Sequence, residues 1–301
     1  MFGTWENSTV RSIEGVDKIV LSKDPGALTS FKKNAPHIEN NCNRQLLSSS
    51  ETLKHVETPY TLKLRLDCTL HHTRFLEFFE KFGLTHQINE RIVAPCYFTI
   101  DPRMYEQLPF HVSDWYSFGP TAKLQALWSA PFLNHCDSKY YDTKCHAPHS
   151  TYFDKLYRAR HSTEQYISIN YARNLGYTVP SFHNDIRDEV LRDHDRFMSE
   201  EFLILTPEQF GVSCDKYHKV SKSSLQHINC FNFLDWYFLA VGQNPGFSSD
   251  PYVLKAALSR VRTKHFFMLR KKSFDRIMPV ITRPLLKWTI SRILRFKFGL
   301  Y

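Results

Sequence analysis

The segment 60–67 alternates apolar and polar residues, and its polar positions have the right chemistry to contact a phosphorylated ligand. Side chains on a strand alternate between its two faces, so three leucines share one face while Lys63, Arg65 and Asp67 share the other. A carboxylate at the end of a strand, such as that of Asp67, can hold a hard divalent cation, and the two bases can contact phosphate oxygens. An exposed edge strand with a solvated face is the alternative interpretation.

Two further segments place polar groups where strand ends and helix starts would meet. Asp24 lies in a Lys-Asp-Pro-Gly turn directly after a predicted strand, and Asn41, Asn43 and Arg44 lie where the next predicted helix begins. Backbone N–H groups at a helix start, together with Arg44, can accept an anion. An ordinary turn and an ordinary asparagine cap explain the same residues without a ligand.

The segment 109–115 combines an aromatic ring with a carboxylate. It contains His111, Asp114 and Trp115 within five residues. A tryptophan ring can stack on a sugar while an aspartate accepts hydrogen bonds from its hydroxyl groups, so the segment is a candidate sugar site. A core tryptophan and a capping aspartate are the alternative.

The elements that must position these residues alternate along the chain. Apolar runs and period-two patterns predict strands over 17–22, 60–67, 91–100 and 202–205, and helical spacing with capping residues predicts helices over 41–55, 70–83, 120–128, 162–175 and 185–201. Strands that alternate with helices predict an α/β fold with a mostly parallel sheet flanked by helices.

The amino-acid composition restricts the classes of protein to which the chain can belong. The chain has 301 residues, 42% of them hydrophobic and 23% charged, which is typical of a folded globular protein. It has no apolar run long enough to span a bilayer and no signal-peptide pattern at its start, so we expect a cytoplasmic protein. Seven scattered cysteines without a C-x-x-C pair indicate reduced thiols, and the spacing of Cys136 and Cys145 is not that of a common zinc site.

The positive charge is concentrated at one end. Residues 251–301 have a net charge of +12, whereas residues 1–250 have a net charge of −3. We therefore expect a body over 1–220 and a helical, basic C-terminal extension over 221–301. Within it, residues 284–299 form a plausible amphipathic helix that would attach to the anionic inner face of the cell membrane, with a helix docked on the body as the alternative. The interleaved aliphatic residues argue against nucleic acid as the partner.

Six ordered segments carry a family resemblance. They are Asp17–Gly26, Asn41–Gln45, Leu62–Asp67, His111–Gly119, Thr163–Gln165 and Phe202–Gly211. In this order they resemble the WavE lipopolysaccharide-synthesis family. The resemblance implies a GT-A-like glycosyltransferase that moves a sugar from a nucleotide-sugar donor to a glycan or lipid-linked acceptor during lipopolysaccharide or capsule assembly.

The resemblance also implies roles for individual residues. Asp67 falls at the end of the Asp-x-Asp motif and would bind Mn²⁺ or Mg²⁺, although Arg65 stands where that motif has its first acid. The nucleotide would contact Asp24, Asn41, Asn43 and Arg44. Asp114 would lie near the transferred sugar or the acceptor, and Glu164 would be the base that deprotonates the acceptor hydroxyl.

GT-A-like proteins usually begin with a strand, a glycine-containing turn and a helix, whereas this sequence opens on what resembles the strand after that unit. We therefore expect one strand–helix unit to be absent. A truncated, non-catalytic remnant that binds membrane or protein, and a sugar-phosphate transferase, are the alternative functions.

Overall fold

A computed structural model describes residues 1–10, 12–84, 90–215, 224–244, 247 and 249–281. Eight strands and eleven α-helices are defined within these ranges, together with one π-helical turn over Phe79–Gly83 and one 3₁₀ turn over Asp154–Leu156. The strands are β1 Phe2–Trp5, β2 Ile19–Ser22, β3 Tyr60–Leu64, β4 Thr69–Leu70, β5 Ile92–Pro95, β6 Tyr116–Pro120, β7 Phe202–Leu205 and β8 Val212–Ser213. The helices are α1 Cys42–Leu53, α2 Phe75–Phe78, α3 Thr121–Leu127, α4 His135–Ser138, α5 Tyr140–Thr143, α6 Thr163–Asn174, α7 Asp188–Glu201, α8 Pro207–Phe210, α9 Ser224–Asn229, α10 Phe233–Gln243 and α11 Pro251–Ile281.

The central sheet is mixed, so the prediction of a mostly parallel sheet is wrong. Its strand order is β3-β6-β5-β7, in which β6 runs antiparallel to both neighbours and only β5 and β7 are parallel. The reason lies in residues 96–115, which connect β5 to β6 without a helix. A parallel connection needs a crossover that returns the chain to the same end of the sheet, and this connection has no such element.

The two parallel strands, β5 and β7, lie in the hydrophobic core. Every residue of β5 and β7 is buried, as expected for apolar strands covered on both faces. Helices α7 and α10 pack against β7, and the indole Nε1 of Trp236 in α10 donates a hydrogen bond of 2.6 Å to the carbonyl oxygen of Phe202. On another part of the sheet, α3 packs against β6, α1 and α6. The fold is thus α/β, with helices around a central sheet.

Local signals place most helix ends correctly. Ser162 caps α6 by accepting a hydrogen bond from the backbone N–H of Gln165, and Gly176 follows the helix with a φ of 86°. The prediction of a helix over residues 70–83 is wrong at its start, because Leu70 belongs to β4, which pairs with the distant β8, and the helical residues begin only at Phe75 and continue to Gly83.

The long helix α11 is held to the body by buried charges. Its Lys264 contacts Asp101 at 2.8 Å and Asp235 at 2.9 Å, and Arg260 contacts Asp235 at 2.9 Å. Over the ranges given above, none of the helices combines the length and the apolar character that crossing a membrane requires. The predicted amphipathic helix over 284–299 lies outside the described residues, and the division at residue 220 stays a prediction.

Candidate functional site

A groove of about 760 Å³ opens beside β3. Its lining includes every residue from Tyr60 to Asp67. Neighbouring strand residues point to opposite faces, so a groove lined by all of them follows the edge of β3 and the turn after it. Residues 1–3 and part of α1 form the opposite wall, and Asp114 also lines the groove. Its volume lies within the ~300–1,000 Å³ that is usual for ligand sites.

Lys63 is the base that the groove wall encloses most fully. Its Nζ donates a hydrogen bond of 2.5 Å to the carbonyl oxygen of Asp114 and lies 4.3 Å from the ring centroid of Trp128. Burial lowers the pKa of Lys63 to about 8, and the charge of Asp114 opposes that shift only in part. In the part of the chain that the structure describes, no carboxylate forms an ion pair with Lys63.

Arg65 and Asp67 lie beyond the end of β3, in the turn that the backbone N–H of Cys68 closes on the carbonyl oxygen of Arg65. The guanidinium of Arg65 donates two hydrogen bonds to the carboxylate of Asp67, at 2.9 and 2.8 Å. The two side chains therefore form a bidentate pair in the lining of the groove. The sequence predicts both residues within a strand over 60–67, whereas β3 ends at Leu64.

Glu164 and His111 form a pair at the start of α6. His111 Nε2 lies 3.7 Å from Glu164 Oε2, and the other ring nitrogen, Nδ1, bonds to the carbonyl oxygen of Phe98 at 2.7 Å. Burial raises the pKa of Glu164; nearby Asp114 also raises it, whereas His111 opposes the shift. We call Glu164, His111 and Asp114 the Glu164 cluster. A carboxyl group whose pKa is raised toward neutrality suits proton transfer from a hydroxyl group.

The backbone around His111 is strained. Phe98, whose carbonyl oxygen bonds to the imidazole, has a φ of 62°, and Phe110, directly before His111, has a φ of 60°. Non-glycine residues rarely adopt this left-handed conformation, and residues that do are concentrated at functional sites. Gln165 holds the same loop against α6, because its Nε2 donates to the carbonyl oxygens of Pro109 and His183, both at 2.8 Å.

Two helix starts meet beside the Glu164 cluster. Thr163, the first residue of α6, donates a hydrogen bond of 3.1 Å to Asn40, whose side chain also accepts from the backbone N–H of Cys42 at the start of α1. Burial raises the pKa of Cys42 strongly, with further contributions from Glu164 and Asp114. The positive ends of two helix dipoles thus face the same region, which favours a bound anion.

The predicted nucleotide residues form one cluster, with one exception. Arg44 donates two hydrogen bonds to Asp24, at 2.9 and 2.8 Å, and a third to Asn41 at 2.9 Å. Asn43 points elsewhere: it is buried and exchanges two hydrogen bonds with the backbone of Leu133. The role of these residues in nucleotide binding stays a prediction.

Trp115 is a core residue, which was the alternative to a tryptophan that stacks on a sugar. The residue is 4% exposed and packs on the rings of Tyr97 and Phe98, at centroid distances of 6.3 and 5.4 Å. Its ring therefore has no open face on which a sugar could stack. Sequence reasoning missed Trp128, the aromatic ring that contacts Lys63, because only the fold brings α3 against β3.

The groups around Asp67 do not fit a Mn²⁺ or Mg²⁺ site. These hard cations take oxygen ligands, whereas the other side chains that could share an ion with Asp67 are the thiols of Cys68 and Cys214. Across the residues that the structure places, these three form the single group found with the proximity that a metal ion needs. The predicted Mn²⁺ or Mg²⁺ site at Asp67 stays a prediction.

Comparisons with known proteins give one result. No curated protein and no solved structure is significantly similar to the chain. The sequence model of the family described as WavE lipopolysaccharide synthesis matches residues 1–266, which is most of the chain and includes every residue of the site. Membership in that family indicates a role in lipopolysaccharide biosynthesis. The chain belongs to the WavE lipopolysaccharide synthesis family.

Proposed function

We propose that this protein is a glycosyltransferase that moves a sugar from a nucleotide-sugar donor to a precursor of lipopolysaccharide or a related surface polysaccharide. The Glu164 cluster carries the proposal, because it combines a carboxyl group of raised pKa with Asp114, which lines a groove whose charged residues include Lys63 and Arg65. Asp114 belongs to both the groove and the Glu164 cluster, since it lines the groove and its charge also raises the pKa of Glu164.

The donor would lie in the groove with its diphosphate near Lys63 and Arg65. The hydroxyl group of the acceptor would approach Glu164, which would take its proton while the hydroxyl oxygen bonds to the anomeric carbon. The bond from that carbon to the diphosphate oxygen breaks, and the nucleoside diphosphate leaves with the bonding electrons. Lys63 and Arg65 would stabilise the negative charge on this leaving group, and the facing helix starts would add to that stabilisation.

His111 would position the base. Because Nδ1 bonds to the carbonyl oxygen of Phe98, this nitrogen carries the proton in the neutral imidazole, and Nε2 faces Glu164 as an acceptor. The imidazole can then hold the proton that Glu164 receives. The family name and the charged groove support a nucleotide-sugar fold of the GT-A type as part of this proposal, with a mixed sheet in place of a mostly parallel one.

The basic C-terminal end would bring the enzyme to a lipid-linked acceptor at the cytoplasmic face of the membrane. Helix α11 exposes Phe266 and Leu269 next to Arg262 and Arg270, and the Arg270 guanidinium lies 3.7 Å from the Phe266 ring centroid. Exposed apolar side chains with flanking bases favour binding to an anionic lipid surface.

Sedimentation of the protein with lipid vesicles tests this membrane binding, and it should show binding to vesicles that contain anionic lipid and none to neutral vesicles. Equal binding to both would contradict the electrostatic part of the proposal.

Calorimetric titration with a panel of nucleoside diphosphates tests donor binding. One of them should bind the wild-type protein, and Lys63→Met should weaken that binding at least ~10-fold, because a charge-assisted contact to phosphate is lost. Lys54→Met is the matched control, since Lys54 lies at the end of α1 and is exposed. If no nucleotide binds, or if both variants bind as well as wild type, the groove is not the donor site. Binding without transfer to any acceptor would favour the non-catalytic remnant.

A further inference from the structure

A short ribbon of two strands follows Asp67, one of the residues that line the groove. Strands β4 and β8 pair antiparallel, with Thr69 opposite Ser213 and Leu70 opposite Val212. Cys68 directly precedes β4 and Cys214 directly follows β8, so the same register places the two cysteines opposite each other. Both are free thiols. The ribbon is fixed at its other end by a hydrogen bond of 2.7 Å from the His71 backbone N–H to the Gly211 carbonyl oxygen.

Three ligand atoms converge at this end of the ribbon. One carboxylate oxygen of Asp67 and the sulfur atoms of Cys68 and Cys214 all lie within 4.8 Å of one another. Around a tetrahedral zinc ion, with bonds of about 2.0–2.3 Å, such atoms stand roughly 3.5–3.8 Å apart. Small rotations of the three side chains would close that difference, with no change in the backbone of the ribbon.

We propose that Asp67, Cys68 and Cys214 bind a thiophilic divalent cation of the zinc class. Two sulfur ligands select such an ion over Mg²⁺ or Mn²⁺, which prefer oxygen. Three protein ligands leave one coordination position open, as in zinc sites that bind water or a ligand atom. The ion would lie close to the groove, because its ligand Asp67 lines the groove. The proposal concerns ion binding alone and does not depend on the proposed transferase activity.

The surroundings allow the ion to enter and leave. Cys68 is buried, whereas Cys214 is half-buried and Asp67 is exposed, so the ion can approach from solvent. Asp67 can use one oxygen for the ion and leave the other with Arg65.

Titration of the reduced, full-length protein with Co²⁺, without any nucleotide, tests the site. Thiolate ligands give Co²⁺ an intense near-ultraviolet charge-transfer absorption, and tetrahedral coordination gives a strong visible band. We expect both bands to saturate at one ion per chain and Zn²⁺ to abolish them. Cys214→Ser and Cys68→Ser should each reduce the charge-transfer band by half or more, because each leaves only one thiolate, and Asp67→Asn should weaken binding about 10-fold or more. The double variant Cys136→Ser, Cys145→Ser is the matched control and should bind like wild type, because both cysteines are exposed.

A second measurement does not depend on variants. Zn²⁺ should protect Cys68 and Cys214 from alkylation in the folded protein, while Cys136 and Cys145 still react, as read by mass spectrometry of the peptides. The proposal is overturned if wild type shows no thiolate band, if the band keeps its full wild-type intensity in Cys214→Ser, or if Zn²⁺ leaves the alkylation of Cys214 unchanged.

Discussion

Two clusters of buried charge differ in how completely their charges are paired. Beneath α11, Lys264 contacts two carboxylates and the Cys230 carbonyl oxygen, and Arg260 pairs with one of the same carboxylates. Beside the groove, Lys63 has a carbonyl oxygen and an aromatic ring, and Glu164 has one imidazole at 3.7 Å.

The pKa shifts in the two clusters reflect how completely the charges are paired. Burial alone would raise the pKa of Asp101, but Lys264 lowers it to about 2. At the groove burial prevails, so the pKa of Glu164 is raised and the pKa of Lys63 is lowered to about 8. Fully paired charges stabilise a fold, whereas buried charges with few partners are typical of a site that completes its contacts with a ligand.

Removal of Lys264 should have the largest effect on stability. Lys264→Met leaves Asp101 buried beside Arg103 alone and deprives Asp235 of one of its two bases. We expect the free energy of unfolding to fall by about 3–5 kcal/mol, as measured by urea denaturation. A loss below about 1 kcal/mol would show that this cluster is no better paired than the groove, and the comparison would fail.

The same type of substitution at Lys63, in the groove, should not lower the free energy of unfolding. Lys63→Met removes a partly buried charge that lacks an ion-pair partner among the described residues, and the methionine can still pack against Trp128. The free energy of unfolding should stay unchanged or rise by about 1 kcal/mol, while binding of the nucleoside diphosphate falls. A protein destabilised as strongly as Lys264→Met would make Lys63 a structural residue.

The pH dependence of stability should separate the clusters with a smaller effect. The folded pKa of Asp101 is lowered from 3.8 to about 2, so its contribution is present above pH 3.8 and is lost as the pH falls toward 2. The folded pKa of Glu164 is raised from 4.5, so the stability linked to its protonated form is present below pH 4.5 and is lost as the pH rises through the raised value. Wild type and Glu164→Gln should therefore unfold alike near pH 4, with the variant more stable at pH 7. Equal stability at both pH values would contradict the raised pKa.

Elements fixed by local signals were predictable from the sequence. The apolar run Phe202–Leu205 is β7 to the residue, and Ser162 and Gly176 bound α6. The direction of β6 was not predictable, because it depends on the path of residues 96–115 through the core. Leu70 falls within a predicted helix for a similar reason, since only pairing with the distant β8 makes it part of a strand.

The candidate site, like the fold, was predictable from the sequence only in part. Lys63 and Asp114 are predicted from residue type and position, and Glu164 from the family resemblance, but the 3.7 Å approach of Glu164 to His111 depends on how the strained loop packs against α6. The thiols of Cys68 and Cys214 come together through the pairing of β4 with β8, which no cysteine spacing indicates. Cys136 and Cys145, closer in sequence, form no such group in the described structure.

The most direct test of the account compares two glutamates in the same type of position. Glu164 lies in the first turn of α6, and Glu189 lies in the first turn of α7, where it is exposed and pairs with Arg187. The measurement is the rate of sugar transfer to a lipopolysaccharide precursor by wild type, Glu164→Gln and Glu189→Gln. We predict that Glu164→Gln loses ~10²–10⁴-fold in rate with its nucleotide affinity and fold intact, and that Glu189→Gln transfers like wild type. Transfer by Glu164→Gln at the wild-type rate would contradict the claim that the poorly paired cluster is the catalytic centre.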